Sequence, residues 1–256
     1  MNTFEALTLH QFAASHFNEK ARWALDFKGL KHDRVDYLPG PHAPRIKKLS
    51  GKQTHTPLLQ HASACVSGSA NIIDWLERQY PDPPLYPDDE VQLKRALDIQ
   101  SHYDEQVGPA VRTVIFAYLV QHPGYLCRSF SHSKAWPKRM TYRLLYPLAK
   151  PLIAKANKVV DPADIKEANR LTEETLEKLA QDVENSDYLA GDNFSVADLT
   201  VASLLAPLAS IQHPDMRRMQ PVPDNLAEFL STMEKHPALQ WVQKQYQLHR
   251  PASAAA

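Results

Sequence analysis

The sequence predicts an α/β domain followed by an all-helical bundle, and three observations carry that prediction. Strand-like and helix-like stretches alternate from the start of the chain to about residue 80. Four prolines then fall within Pro81-Asp82-Pro83-Pro84-Leu85-Tyr86-Pro87, a spacing that cannot continue a helix. Beyond them strand signals vanish. At 256 residues the chain is long enough for two ordinary cores. The expected division is a first domain over 1–80, a stiff linker over 81–89 and a helical domain over 90–256.

Phe4 to Phe12 alternates loosely through Leu7 and Leu9 and reads as a first strand. Ala13 to Asn18 is the turn after it. Glu19 to Lys28 is helical, with Ala21, Ala24, Leu25 and Lys28 at helical spacing and Gly29 at C′. Arg34 to Leu38 reads as a second strand, ended by Pro39-Gly40-Pro41, and Arg45 to Leu49 as a short helix. In Thr56-Pro57-Leu58-Leu59 the proline suits the first residue of a strand, because it brings no N–H to a ladder. A second short run follows, then Gly68-Ser69, then apolar positions 72, 73, 76 and 80 at helical spacing. Ser69 is placed as the N-cap, which turns the free N–H groups of this helix toward Pro57. Such a terminus attracts carboxylates.

In the second half, Val91 to Gln121 reads as one long helix kinked at Gly108-Pro109. Asp164 to Glu184 is amphipathic, and Ser195 to Ala209 is apolar nearly all round. The latter opens on a capping box, Ser195 with Asp198 at N3. Leu226 to Tyr246 closes the bundle with a break near His236-Pro237, and the tail Pro251 to Ala256 is expected to be disordered. Between residues 106 and 160 lie nine Lys or Arg and no acid. The basic, aromatic stretch 121–160 has three readings: a solvated hairpin on the bundle, a lid selecting anionic or amphipathic compounds, or a membrane-surface attachment. The last is the least favoured, because Leu144 to Ile153 is weakly amphipathic and interrupted by Pro147 and Pro151.

Bulk properties exclude several classes. The formal net charge is zero, which argues against nucleic-acid binding. Cys65 and Cys127 give neither metal spacing nor a disulfide framework, and Cys65 reads as a buried structural thiol. Met1 to Glu5 lacks the features of a signal peptide, and the longest apolar run, Val114 to Val120, is too short for a bilayer. A cytoplasmic protein is expected.

The order β-α-β-α-β-β-α resembles a thioredoxin fold. Thr56-Pro57, the Gly68-Ser69 turn and Leu189-Ala190-Gly191-Asp192 through Asp198 together resemble the cytosolic glutathione transferase superfamily. The resemblance implies a cis Pro57, a Thr56 backbone paired with the cysteinyl part of glutathione, and a Ser69 that binds the γ-glutamyl carboxylate. Gly68 stands where the family has an acid for the γ-glutamyl ammonium. Ser15-His16-Phe17-Asn18-Glu19-Lys20 resembles the family's Ser/Cys-type pattern, with His16 replacing the usual proline. By that resemblance Ser15 activates the glutathione sulfur and Phe17 packs on the tripeptide, while Lys52 meets the glycyl carboxylate. Ser15 reads equally as a plain helix N-cap, and Asn18 is a rival donor. His16 is expected to be exposed, and Arg22 and Trp23 to serve in packing. A serine at position 15 disfavours thiol–disulfide exchange, which needs a protein thiolate. The implied activity is glutathione conjugation to, or glutathione-dependent reduction of, a small electrophile, by a homodimer with glutathione as co-substrate. The alternative is a non-catalytic interaction or regulatory protein on the same fold.

Overall fold

The computed structural model describes residues 6–256, so the expectations for Met1 to Glu5, including a strand start at Phe4, lie outside the described residues. Four strands form one sheet in the order β2-β1-β3-β4: β1 (Leu7–Gln11), β2 (His32–Asp36), β3 (Leu58–His61) and β4 (Ala64–Ser67). β1 runs parallel to β2 and antiparallel to β3, and β3 is antiparallel to β4. Leu9 sits opposite Leu59, and Leu59 opposite Val66, so one row of apolar side chains crosses the sheet. Helices α1 (His16–Phe27), α2 (Ala43–Ser50) and α3 (Ser69–Gln79) complete a thioredoxin-like domain. Eight helices follow among the described residues, so the fold class matches the expectation. They are α4 (Glu90–His102), α5 (Gly108–Leu119), α6 (Pro123–Ser131), α7 (Trp136–Ala156), α8 (Pro162–Asp182), α9 (Val196–Leu205), α10 (Asp224–Met233) and α11 (Pro237–His249).

The two halves meet on α1, which packs against α3 on one side and α9 on the other. Helix α9 is buried at every residue, and its capping box is present in full, with Ser195 and Asp198 bonding each other's backbone. Trp23 is fully buried and its indole N–H donates to His249 O at 3.0 Å, as its packing role requires. Helix α1 is equally closed to water, although it carries Glu19, Lys20, Arg22 and Asp26. Each finds a partner: Lys20 pairs with Asp104 at 2.6 Å, and Arg22 with Glu19 at 2.8 Å. Arg250 pairs with Glu19 and Asp26, both at 2.8 Å.

Several expectations are corrected. Helix α1 starts at His16, three residues early, because Ser15 supplies the cap. The 91–121 helix is not continuous: a π-helical turn, Tyr103–Val107, separates α4 from α5 just before Gly108. The tail is ordered. Ala254 N donates to Asp26 Oδ1 at 2.7 Å, and Ala256 N to His32 O at 3.0 Å, which adds a short parallel bridge beside β2. Helix α7 runs through Pro147 and Pro151, both of which lie on its exposed side, where the carbonyls they leave unpaired face water. Its inner face presents Tyr142, Tyr146 and Ile153, and its outer face Leu144, Leu148 and Leu152. Cys65 is half-buried rather than buried; Cys127 is buried. Among the described residues, no helix is long and apolar enough to cross a membrane.

Candidate active site

A line of hydrogen bonds runs from the turn after β1 to the start of α3. Ser15 caps α1, its Oγ accepting from Asn18 N at 3.4 Å. That bond uses a lone pair and leaves the hydroxyl proton free to donate, so capping and donation are compatible. Asn18 is buried, and its Nδ2 donates to Thr56 Oγ1 at 3.3 Å. The Thr56-Pro57 bond is cis. Pro57 O accepts from Gly68 N at 3.0 Å, which brings the first turn of α3 against the Thr56-Pro57 loop.

Ser69 is the first helical residue, and the N-cap is Gly68, correcting the expectation for Ser69. Gly68 holds φ +90°, a conformation that glycine adopts at little cost. No side chain caps this terminus, so its first N–H groups stay uncommitted. Ser69 itself is buried. Ser15, Thr56, Pro57, Gly68 and Ser69 therefore share one seam, whose donors suit a peptide carboxylate and a thiol. Lys52 is exposed in the loop before β3.

The next two residues of α1 face the helical domain. His16, expected to be exposed, is buried, and its Nε2 donates to Gly108 O at 3.1 Å. Burial, and then the nearby positive charge of Arg112, push its imidazole down to about 3, so it is neutral near pH 7. The Phe17 ring rests on Gly108, where a side-chain Cβ would lie 2.7 Å from its Cζ. The aromatic expected to cover the tripeptide is therefore part of the domain junction, and glycine at 108 is what lets the ring approach.

Beside this junction opens a cleft of about 970 Å³, lined by Ala13, Ala14 and His16 and walled by α5, α6 and the stretch 207–234. Ile115, Phe116, Leu119 and Phe130 give it apolar walls, while Arg112 and Arg218 also line it. Tyr125 and Ser129 of α6 line it as well, with His132 just beyond the helix. Phe12 and Phe130 meet edge to face at 6.1 Å, and Lys134 Nζ donates to Asp36 O at 2.6 Å. Reasoning from sequence gave neither arginine a role. The available signal for Arg112 was a lone charge inside the apolar stretch from Ala110 to Ile115.

Residues 9–84 match the family profile described as glutathione S-transferase, N-terminal domain, and residues 136–237 that described as glutathione S-transferase, C-terminal domain. Glutathione S-transferase 1 of Dianthus caryophyllus is 34% identical over 100 residues, 38% of this chain and 44% of that protein. The chain thus spans about half the length of the curated relatives it matches. The β-etherase LigF from Sphingobium sp. strain SYK-6 shares the fold with a TM-score of 0.62 at 20% identity, covering 94% of this chain and 99% of that one. For glutathione transferase GSTFuA3 from Phanerochaete chrysosporium the TM-score is 0.64 at 18% identity, over 98% and 100% of the two chains. With both profiles matched in chain order on this fold, the protein belongs to the cytosolic glutathione transferase superfamily.

Proposed function

We propose that the protein is a glutathione-dependent transferase that joins glutathione to a small electrophile, or reduces the electrophile with it, at the seam beside the cleft. The observation that supports this most is the run of bonds from Ser15 through Asn18 and Thr56-Pro57 to the uncapped start of α3. In this reading Ser69 and the α3 N–H groups hold the γ-glutamyl carboxylate. The Thr56 backbone holds the cysteinyl unit, and Lys52 approaches the glycyl end. The Ser15 hydroxyl donates to the sulfur, and with the positive end of α1 it favours the thiolate at neutral pH. The cleft holds the electrophile against that sulfur, a proximity effect. Conjugation then forms a carbon–sulfur bond, the thiol proton passes to solvent, and a leaving group departs where the electrophile carries one.

The test is Ser15→Ala assayed with glutathione and a generic aromatic electrophile. Loss of one donor to the developing anion should lower turnover by roughly 100-fold. It should also raise the pKa of the bound thiol. An unchanged rate removes Ser15 from the chemistry and leaves Asn18 as the donor. Gly68 favours a second reading, a non-catalytic interaction protein, because the ammonium of glutathione lacks its family partner there. Retention of the wild type on immobilised glutathione separates the two.

A further inference from the structure

Among the described residues, no carboxylate pairs with Arg112 on α5. Its Nε is buried and has no hydrogen-bond partner among the described residues. Burial lowers its pKa, and no carboxylate acts to raise it. The neighbour that meets its charge is the Phe17 ring, 6.0 Å away. Arg218 also lines the cleft, and it is held by backbone carbonyls. One of its nitrogens donates to Pro207 O at 2.6 Å and to Ala209 O at 2.7 Å, and among the described residues no carboxylate pairs with it.

The acids that line the cleft do not answer these charges. Asp215 is held by Arg34 and Arg250, each at 2.8 Å, and Asp36 accepts from Gln11 at 2.9 Å. Glu234 is exposed. Arg112 is half-buried: its Nε bears an unreturned desolvation cost while the residue lines the cleft. Arg22 and Arg34, which line the same cleft, and Arg250 each have carboxylate partners. Among the described residues Arg112 and Arg218 do not, and the cleft they line has apolar walls in Ile115, Phe116, Leu119 and Phe130.

We propose that Arg112, assisted by Arg218, selects ligands that join a carboxylate or sulfonate to an aromatic or alkyl body. Calling that ligand the electrophilic substrate rests on the function proposed above; the charge selectivity itself does not. A planar guanidinium offers an anion two parallel N–H donors, and the anion restores the solvation that Arg112 lost on burial. The apolar walls take the body of the ligand.

The experiment uses 2-naphthoate and its neutral amide, titrated calorimetrically into the full chain without glutathione. The wild type should bind the carboxylate about tenfold or more tighter than the amide, since a charge-assisted contact is worth that much. Arg112→Gln should bring the two within about twofold by weakening the carboxylate alone, and Arg218→Gln should move them part of the way. A thermal melt checks that each variant is folded, and if Arg112→Gln fails to fold, Arg218→Gln and added salt carry the test. High salt should then weaken naphthoate and leave the amide unchanged. Equal binding of the two probes to the wild type, or equal weakening of both by Arg112→Gln, overturns the proposal. Charge selectivity in a protein that shows no turnover with glutathione would uphold it and sink the transferase reading instead.

Discussion

Among the groups through which acid should destabilise this protein, one histidine at the domain junction can be isolated. His16 is buried, donates from Nε2 to Gly108 O, and is held neutral by burial and by Arg112, its pKa near 3 against an ordinary 6.5. The folded pKa is depressed, so between pH 6.5 and 3 the unfolded chain binds a proton that the folded chain refuses. Stability therefore falls as pH falls through that window and is fully present above it. At about 1.4 kcal/mol per pH unit, the whole window is worth about 4 to 5 kcal/mol, and the part above pH 5 about 2 kcal/mol. Urea unfolding of wild type and His16→Gln at pH 7.5 and pH 5.0 measures the latter part. The glutamine amide can still donate to Gly108 O but does not titrate. Other groups that titrate in this range are common to both proteins and cancel in the double difference. The wild type should lose about 2 kcal/mol more than the variant. Equal losses would refute the reasoning, and would mean that His16 is solvated or shares its proton with a partner.

Two further outcomes follow from other sites. Gly68→Glu supplies the acid that glutathione's ammonium lacks, so calorimetry should show affinity rising about tenfold. The same change puts a side chain at φ +90°, so urea unfolding should show about 1–3 kcal/mol less stability. No gain in affinity would mean that the ammonium already has a partner. Arg250→Ala strips Glu19 and Asp26 of a fully buried cation, so it should cost about 3–5 kcal/mol in the same assay. A cost under about 1 kcal/mol would show that Arg22 and Arg34 suffice to hold those carboxylates.

What was legible in the sequence was local. The Pro57 strand entry, the glycine–serine turn before α3 and the Ser195-Asp198 box are each settled by neighbours within a few residues, and each appears where it was read. The misreadings share one cause. His16 looked exposed because its partner, Gly108, lies on another element 92 positions along the chain. The tail looked disordered because six small residues carry no pattern, yet its anchors are Asp26 and His32 on the first domain. Ser69 was assigned the cap from side-chain preference alone, whereas the backbone at Gly68 decides it. Arg112 drew no reading of its own, because sequence does not reveal whether an acid stands opposite.

Helix α1 joins these findings to the site. Glu19, Lys20, Arg22 and Asp26 are the groups that clamp the helix. Lys20 reaches the π-helical turn at Asp104, and Glu19 and Asp26 reach Arg250 in the tail. Arg22 also donates to Gln11 Oε1 at 2.9 Å and Phe12 O at 3.3 Å, which fixes the end of β1 where the Ser15 turn begins. The turn that carries Ser15 is therefore braced by ion pairs buried behind it, whose partners come from segments more than 80 residues away. In the function proposed above, the placement of the Ser15 donor thus depends on the C-terminal residues as much as on its own turn.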